Sequence, residues 1–230
     1  MRPPALAIGP LRLSTPVLLA PMAGYADLAF RLSVRPLGGI ALAYTEMLNP
    51  LSVLRGTGRK RAALLATCAA DRPLGYQLYG AEAELLAEAA CWIEERGGAL
   101  IDLNMGCPQR KISSRGAGAG LLRAPDKAAA LARRVVTAVR IPVTVKLRLG
   151  WDRMRLVAPE LAAALEEAGV AAITIHGRTR GQAFTGRADL AAMRRALRAH
   201  ASLEGETDFT EYVWRPSAAG LSRPRISYGR

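Results

Sequence analysis

Only 19 of the 230 residues are acidic, and the chain has just three cysteines, two histidines and few aromatics (three Trp, six Tyr, three Phe). An odd, small number of cysteines at no metal-ligand spacing excludes a disulfide framework and fits a reducing, cytoplasmic compartment. With so few histidines as well, no metal site is expected. The longest charge-free apolar stretches, near Leu18 and Ala119, fall short of the roughly 20 residues that a spanning helix needs. Residues 1–24 hold Pro3, Pro4, Pro10 and Pro16 and lack a clean apolar centre, so neither a signal peptide nor a membrane partner is expected. Half of the residues are hydrophobic. That excludes a disordered or collagenous chain and allows one domain with a sizeable core.

What the chain has in excess is positive charge. Lysine and arginine number 32, for a net charge of +13. Such an excess favours polyanions, nucleic acid above all, although a genomic bias toward Arg and Ala codons would give the same count without a partner. Residues 199–230 hold four acidic and four basic side chains, so the whole excess falls on residues 1–198.

Those first 198 residues alternate short apolar runs with helical patterns. Strands are expected at Val17–Ala20, Ala41–Thr45, Gly75–Tyr79, Leu100–Asn104, Val143–Leu147 and Ala172–His176. Helices are expected at Ala81–Arg96, Asp126–Arg140, Pro159–Ala168 and Ala188–Ala199, the first stopped by Gly97-Gly98. The alternation implies parallel βαβ units, either a doubly wound sheet or most of an eight-stranded barrel. In both architectures the chemistry gathers at the carboxyl ends of the strands. The unusual residues sit there: Pro21-Met22-Ala23, Glu46, Gln77, Asn104, Cys107, Lys146, Arg148, His176 and Arg178. Beyond residue 198 the rhythm stops, and an irregular C-terminal tail is expected over residues 199–230. Six strands would leave two open sheet edges unless the tail covers one.

Cys107 lies between Gly106 and Pro108 where a buried strand must turn, a setting in which a thiol can face a ligand as nucleophile or proton donor. The alternative is a small buried core residue, the role expected of Cys68 and Cys91. Strand alternation puts Thr144, Lys146 and Arg148 on one face, inward in a barrel, where a lysine needs an anionic partner. His176 ends a strand and precedes Gly177-Arg178-Thr179-Arg180. The Gly116–Gly120 run lacks the Lys-Ser/Thr ending of a P-loop, so close packing of its backbone on a ligand or a neighbouring helix is its expected role.

Taken in order, Leu19–Asp27, Tyr44-Thr45-Glu46-Met47, Gln77–Gly80, Asp102–Pro108 with Lys111 and the Gly116–Leu122 loop, Val145–Arg148 and His176–Thr179 resemble the bacterial tRNA-dihydrouridine synthases. The resemblance covers about residues 8–198. It implies an FMN enzyme on a TIM-barrel-like (β/α)8 fold, here incomplete with about six of eight units: a partial FMN-binding catalytic domain over residues 1–198. It also implies that NADPH reduces the flavin and that the substrate is a uridine of tRNA, reduced at C5–C6. By that resemblance Pro21, Met22 and Ala23 pack on the flavin ring. Gln77, Lys146 and His176 hydrogen-bond FMN, Cys107 donates a proton, and Asn104 and Arg178 reach the uracil. The family's last two strands, which grip the FMN phosphate, and its helical RNA-binding domain find no match in residues 199–230, as a truncation or frame change near residue 198 would produce. Two other readings stay open: an FMN-barrel oxidoreductase acting on a small molecule, and an inactive RNA-binding remnant.

Overall fold

The computed structural model describes residues 6–198 and 211–214. A hairpin, β1 (Leu6–Ile8) and β2 (Leu11–Leu13), precedes a seven-stranded sheet. The strands of that sheet are β3 (Val17–Leu19), β4 (Ile40–Leu48), β5 (Leu74–Leu78), β6 (Leu100–Met105), β7 (Val143–Arg148), β8 (Ala172–His176) and β9 (Glu211–Trp214). They lie side by side in sequence order. Pairings from β3 to β8 are all parallel. This is an incomplete TIM barrel, six consecutive parallel strands with helices on the outside.

The six expected strands are all present, shifted by at most three residues at either end. The expected helices appear as α4 (Ala83–Glu94), α6 (Pro125–Val136), α7 (Ala158–Glu167) and α8 (Leu190–Arg198), generally shorter than their apolar patterns. The chain also forms α1 (Leu28–Val34), α2 (Pro50–Arg55), α3 (Gly58–Leu65) and α5 (Arg110–Ser113). These segments are too short for a 3.6-residue period to stand out. Two of them start on side-chain caps instead: Asp27 accepts the Phe30 N–H at 2.8 Å and Asn49 accepts the Leu51 N–H at 3.0 Å, satisfying donors that a helix start leaves unpaired.

The strands divide their side chains by alternation. Outward residues Ile101, Leu103, Met105, Val143, Val145, Leu147, Ile173 and Ile175 join Leu86, Ala90, Leu131, Val135, Leu161 and Leu165 of the helices in one apolar core. Inward residues change character along the barrel axis. Near the amino ends, Leu42, Tyr44, Leu100 and Ala172 pack on Leu6, Ile8 and Leu13 of the hairpin, which plugs that end. Toward the carboxyl ends the inward positions become Gln77, Asp102, Asn104, Lys146, Arg148 and His176. Gly75 is required in this interior because an added Cβ would stand 2.8 Å from the Tyr44 ring.

Residues 199–230 are not irregular throughout, as the composition implied. Glu211–Trp214 pairs antiparallel with β8, placing Trp214 opposite Ile173 and Glu211 opposite His176. A four-residue Glu-Tyr-Val-Trp segment is short, but aromatic and β-branched residues suit a sheet, and β8 would otherwise present unpaired backbone groups on that side. The rest of the expected tail, residues 199–210 and 215–230, lies outside the described residues.

One buried ionic cluster anchors the first helix. Asp71, fully buried, takes Arg31 at 2.7 Å and Arg35 at 3.2 Å. Arg31 also donates to the carbonyls of Ala26 and Ala66, and Arg35 to those of Asp71 and Pro73. Each guanidinium thus has acceptors to replace the water it lost. The Ala26 contact ties the loop after β3 to the loop before β5.

Candidate active site

The inward polar residues form one connected network at the carboxyl mouth. It begins at Tyr44, whose hydroxyl hydrogen-bonds Thr144 and whose phenol is held well above its ordinary range by burial and then by the Asp102 carboxylate. Thr144 donates to Asp102 Oδ1 at 2.6 Å. The other carboxylate oxygen accepts Gln77 Nε2 at 2.6 Å. Gln77 Oε1 accepts Asn104 Nδ2 at 2.8 Å. Asn104 Oδ1 accepts the backbone N–H groups of Gly106 and Cys107 at 3.1 and 2.9 Å.

The direction of this relay follows from Asp102. An ionised carboxylate only accepts, so Gln77 must turn its NH2 toward Asp102 and its oxygen toward Asn104. Asn104 then has its oxygen free for the turn. A buried carboxyl group on β6 is thereby linked through Gln77 and Asn104 to the loop.

Cys107 is half-buried in that loop. Its carbonyl accepts the Ala119 N–H at 3.1 Å. Gly118, at φ +54°, lies so close that a Cβ there would stand 3.0 Å from Cys107 Cβ and 3.1 Å from its carbonyl oxygen. The Gly-rich run therefore serves close backbone packing, against the cysteine loop. Neither of the other cysteines is the buried core residue expected: Cys91 is half-buried on α4 and donates to the Ala138 carbonyl at 3.3 Å, and Cys68 is exposed in the connection before β5.

Lys146 faces Asn104 in register on β7, and His176 faces Arg148 on β8. Arg178 NH1 lies 3.2 Å from His176 Nε2. A guanidinium only donates, so a hydrogen bond there uses Nε2 as the acceptor. Arg178 also donates to the Gly186 carbonyl at 2.9 Å, while its buried Nε has no partner among the described residues. On the other side of the mouth, Pro21 and Met22 are half-buried and Ala23 is exposed after β3. The Met22 carbonyl closes that turn by accepting the N–H groups of Tyr25 and Ala26, and Glu46 accepts the Gly24 N–H at 2.5 Å.

The structure thus brings Gln77, Asn104, Cys107, Lys146, His176 and Arg178 onto consecutive strand ends, with Pro21, Met22 and Ala23 after β3 at the same mouth. Sequence reasoning missed Asp102 and Arg148 as organisers. Arg148 is buried and bonds three carbonyls: Gly106 at 2.8 Å, Thr179 at 3.0 Å and Ala183 at 2.7 Å. It ties the cysteine loop to the loop after β8. The available signal was alternation, since charged residues at inward positions of buried strands need built partners.

A parallel barrel sheet with a polar, cysteine-bearing mouth at its strand ends defines an α/β-barrel protein. Comparison with solved structures agrees on the fold: a variant of NCR from Zymomonas mobilis superposes with a TM-score of 0.50 at 11% identity, covering 73% of this chain and 66% of that one. The dihydrouridine synthase (Dus) family matches residues 18–203. The chain is 47% identical over 195 residues to a probable tRNA-dihydrouridine synthase of Rhodobacter capsulatus, covering 84% of this chain and 60% of that protein. It is 39% identical over 206 residues to tRNA-dihydrouridine synthase B of Xanthomonas campestris pv. campestris, with 88% and 61% coverage. A probable tRNA-dihydrouridine synthase of Rickettsia bellii matches at 35% identity, with 98% and 71% coverage. The chain belongs to the dihydrouridine synthase family. It spans about 60% of the length of the first two of these relatives.

Among the described residues, no helix is long and apolar enough to cross a membrane, and no group of three or more His, Cys, Asp or Glu could hold a metal ion.

Proposed function

We propose that the protein reduces the C5–C6 double bond of uridines in tRNA to 5,6-dihydrouridine, with FMN as cofactor and NADPH as reductant. The names of its relatives support the substrate. The observation that carries the chemistry is Cys107, set beside Pro108 at the mouth on a turn whose N–H groups Asn104 holds.

The residues present suit a flavin. Gln77, Lys146 and His176 offer an amide, an ammonium and an imidazole at strand ends facing one interior, a donor set matching the polar edge of a planar heteroaromatic ring. The buried Arg178 Nε, a donor lacking an acceptor among the described residues, is left for the uracil that would lie against the ring. Pro21, Met22 and Ala23 would pack on the ring. FMN, when bound, supplies the hydride that the uracil C6 receives.

The remaining task falls to the protein. Saturating the double bond also needs a proton at C5, and Cys107 is the acid placed to give it from its Sγ. Asn104 and Arg178 would hold the uracil carbonyls, which accumulate negative charge as C6 is reduced. A base must leave its stack to enter such a mouth, which favours loop uridines over paired ones.

The test is reduction of an unmodified tRNA transcript by the purified chain with FMN and NADPH, with free uridine in parallel. Cys107→Ala is expected to retain flavin binding and NADPH oxidation while tRNA reduction falls roughly 10²- to 10⁴-fold. Reduction at the parent rate, or loss of flavin binding instead, refutes the assignment of Cys107. Turnover of free uridine but not tRNA would move the protein to small-molecule chemistry.

A further inference from the structure

We propose that Arg123, Arg180 and Trp151 form a phosphate subsite for the RNA backbone beside the Cys107 loop. This rests on the function proposed above and assigns that substrate a place outside the uracil site.

The loops after β7 and β8 are zipped together beyond the sheet. Arg178 accepts the Leu149 N–H on its carbonyl, Arg180 donates its N–H to the Gly150 carbonyl, and Gly181 donates to the Trp151 carbonyl, at 2.9 to 3.2 Å. This ladder sets Arg180 over the Trp151 ring, with its guanidinium carbon 4.6 Å from the centroid. Arg123 ends the turn that follows the glycine run and lies over the same ring at 5.0 Å. Two cations therefore share one indole. The ring attracts each of them but carries no net charge to offset their repulsion.

No carboxylate among the described residues forms a salt bridge with either arginine. Arg180 reaches only Ser113 Oγ, at a long 3.5 Å, and its buried Nε has no partner there. Arg123 is exposed. Arg31 and Arg148, by contrast, have their guanidiniums met by built acceptors. Two guanidiniums held over one aromatic ring, with N–H groups to spare, match the oxygens of a phosphate.

The position favours a nucleic-acid phosphate over a small anion. Thr179, next to Arg180, shares Arg148 with Gly106, next to Cys107. Ala119, in the turn that Arg123 ends, bonds the Cys107 carbonyl. The two arginines thus flank the cysteine loop, where the strand carrying an extruded base would continue. Arg153 adds an exposed cation to the same loop as Trp151, and the net charge of +13 supplies the long-range attraction.

The experiment measures binding of the full chain to a short fluorescent oligouridylate and to tRNA across a salt series. Arg123→Gln and Arg180→Gln are each expected to lower the slope of log K against log salt by roughly 0.7, which corresponds to roughly fivefold weaker binding at about 0.1 M salt. Arg123→Lys and Arg180→Lys should keep the parent slope. So should Arg134→Gln, which removes one charge, paired with Glu84, from the exposed face of α6. A double glutamine variant with the parent's circular dichroism and the parent's slope overturns the subsite. An equal fall in Arg134→Gln also overturns it, because the attraction would then be diffuse. If the double variant does not fold, the single variants decide by the same slopes. A parent that shows these slopes but reduces no tRNA removes the proposed activity and leaves the subsite. A parent that reduces tRNA while both glutamine variants keep its slope does the reverse.

Discussion

Asn104 Oδ1 lies 2.9 Å from the backbone nitrogen of Cys107, so the side chain three residues upstream fixes the turn that presents the thiol. The same oxygen takes the Gly106 N–H, and the Asn104 amide is in turn oriented by Gln77 and Asp102. The thiol's position is a property of four residues on two neighbouring strands and one loop.

Removing that acceptor should loosen the turn. Asn104→Ala leaves two N–H groups of a half-buried loop without their partner, a cost of about 1–3 kcal/mol. tRNA reduction should fall while NADPH-driven flavin reduction persists. Asn104→Asp keeps an acceptor but sets a carboxylate against Gln77 Oε1, which cannot turn away without losing Asp102; it should also impair the reaction. Stopped-flow flavin reduction beside tRNA turnover separates the two steps, and equal loss in both would contradict this account.

The Asp71 cluster should carry much of the stability of the first βα unit. Asp71→Ala leaves Arg31 and Arg35 without their shared carboxylate in a buried setting, and breaking such a pair costs about 3–5 kcal/mol. Urea unfolding is the measurement. A loss below about 1 kcal/mol would mean that the carbonyl contacts of Arg31 and Arg35 suffice on their own.

Gly118 should not tolerate a side chain. Gly118→Ala imposes a left-handed backbone penalty of about 1–2 kcal/mol and drives a Cβ against Cys107 and Ile112, the nearest atoms standing 3.0 and 3.1 Å away. Both stability and tRNA reduction should drop. Gly116→Ala, whose Cβ would have 3.7 Å to its nearest neighbour, shares the backbone penalty but should spare the cysteine loop. Comparing the two by thermal unfolding and turnover isolates the contact.

Tyr44 should shape the alkaline limit of stability. Burial, then Asp102, raises its phenol pKa above the ordinary value of 10.0, and burial raises that of Tyr76 too. Below that ordinary value the phenol is neutral in both states and its contribution is fully present. Above it the unfolded chain ionises and the folded one does not, so stability falls as pH rises. Tyr44→Phe should flatten that decline in urea midpoints taken from about pH 8 to about pH 11, at the expense near neutrality of one hydrogen bond to Thr144, about 0.5–1.5 kcal/mol. A decline as steep as the parent's would place the alkaline limit elsewhere.

The sequence by itself determined the order of the six parallel strands, because each is a short apolar run between helical patterns, and strand alternation is a local property. It also placed Cys107, Lys146 and His176 at strand ends, since a residue's position in its own element follows from its neighbours in the chain. Only the tertiary structure decided which polar groups meet. Asp71 serves arginines 40 and 36 positions away, Asp102 reaches Gln77 and Thr144 on the strands to either side, and Arg148 joins two loops. The pairing of Glu211–Trp214 with β8 is of the same kind. Such contacts form because burial strips water from charges and backbone groups, and the partner that replaces it is whichever one the packed strands bring within reach.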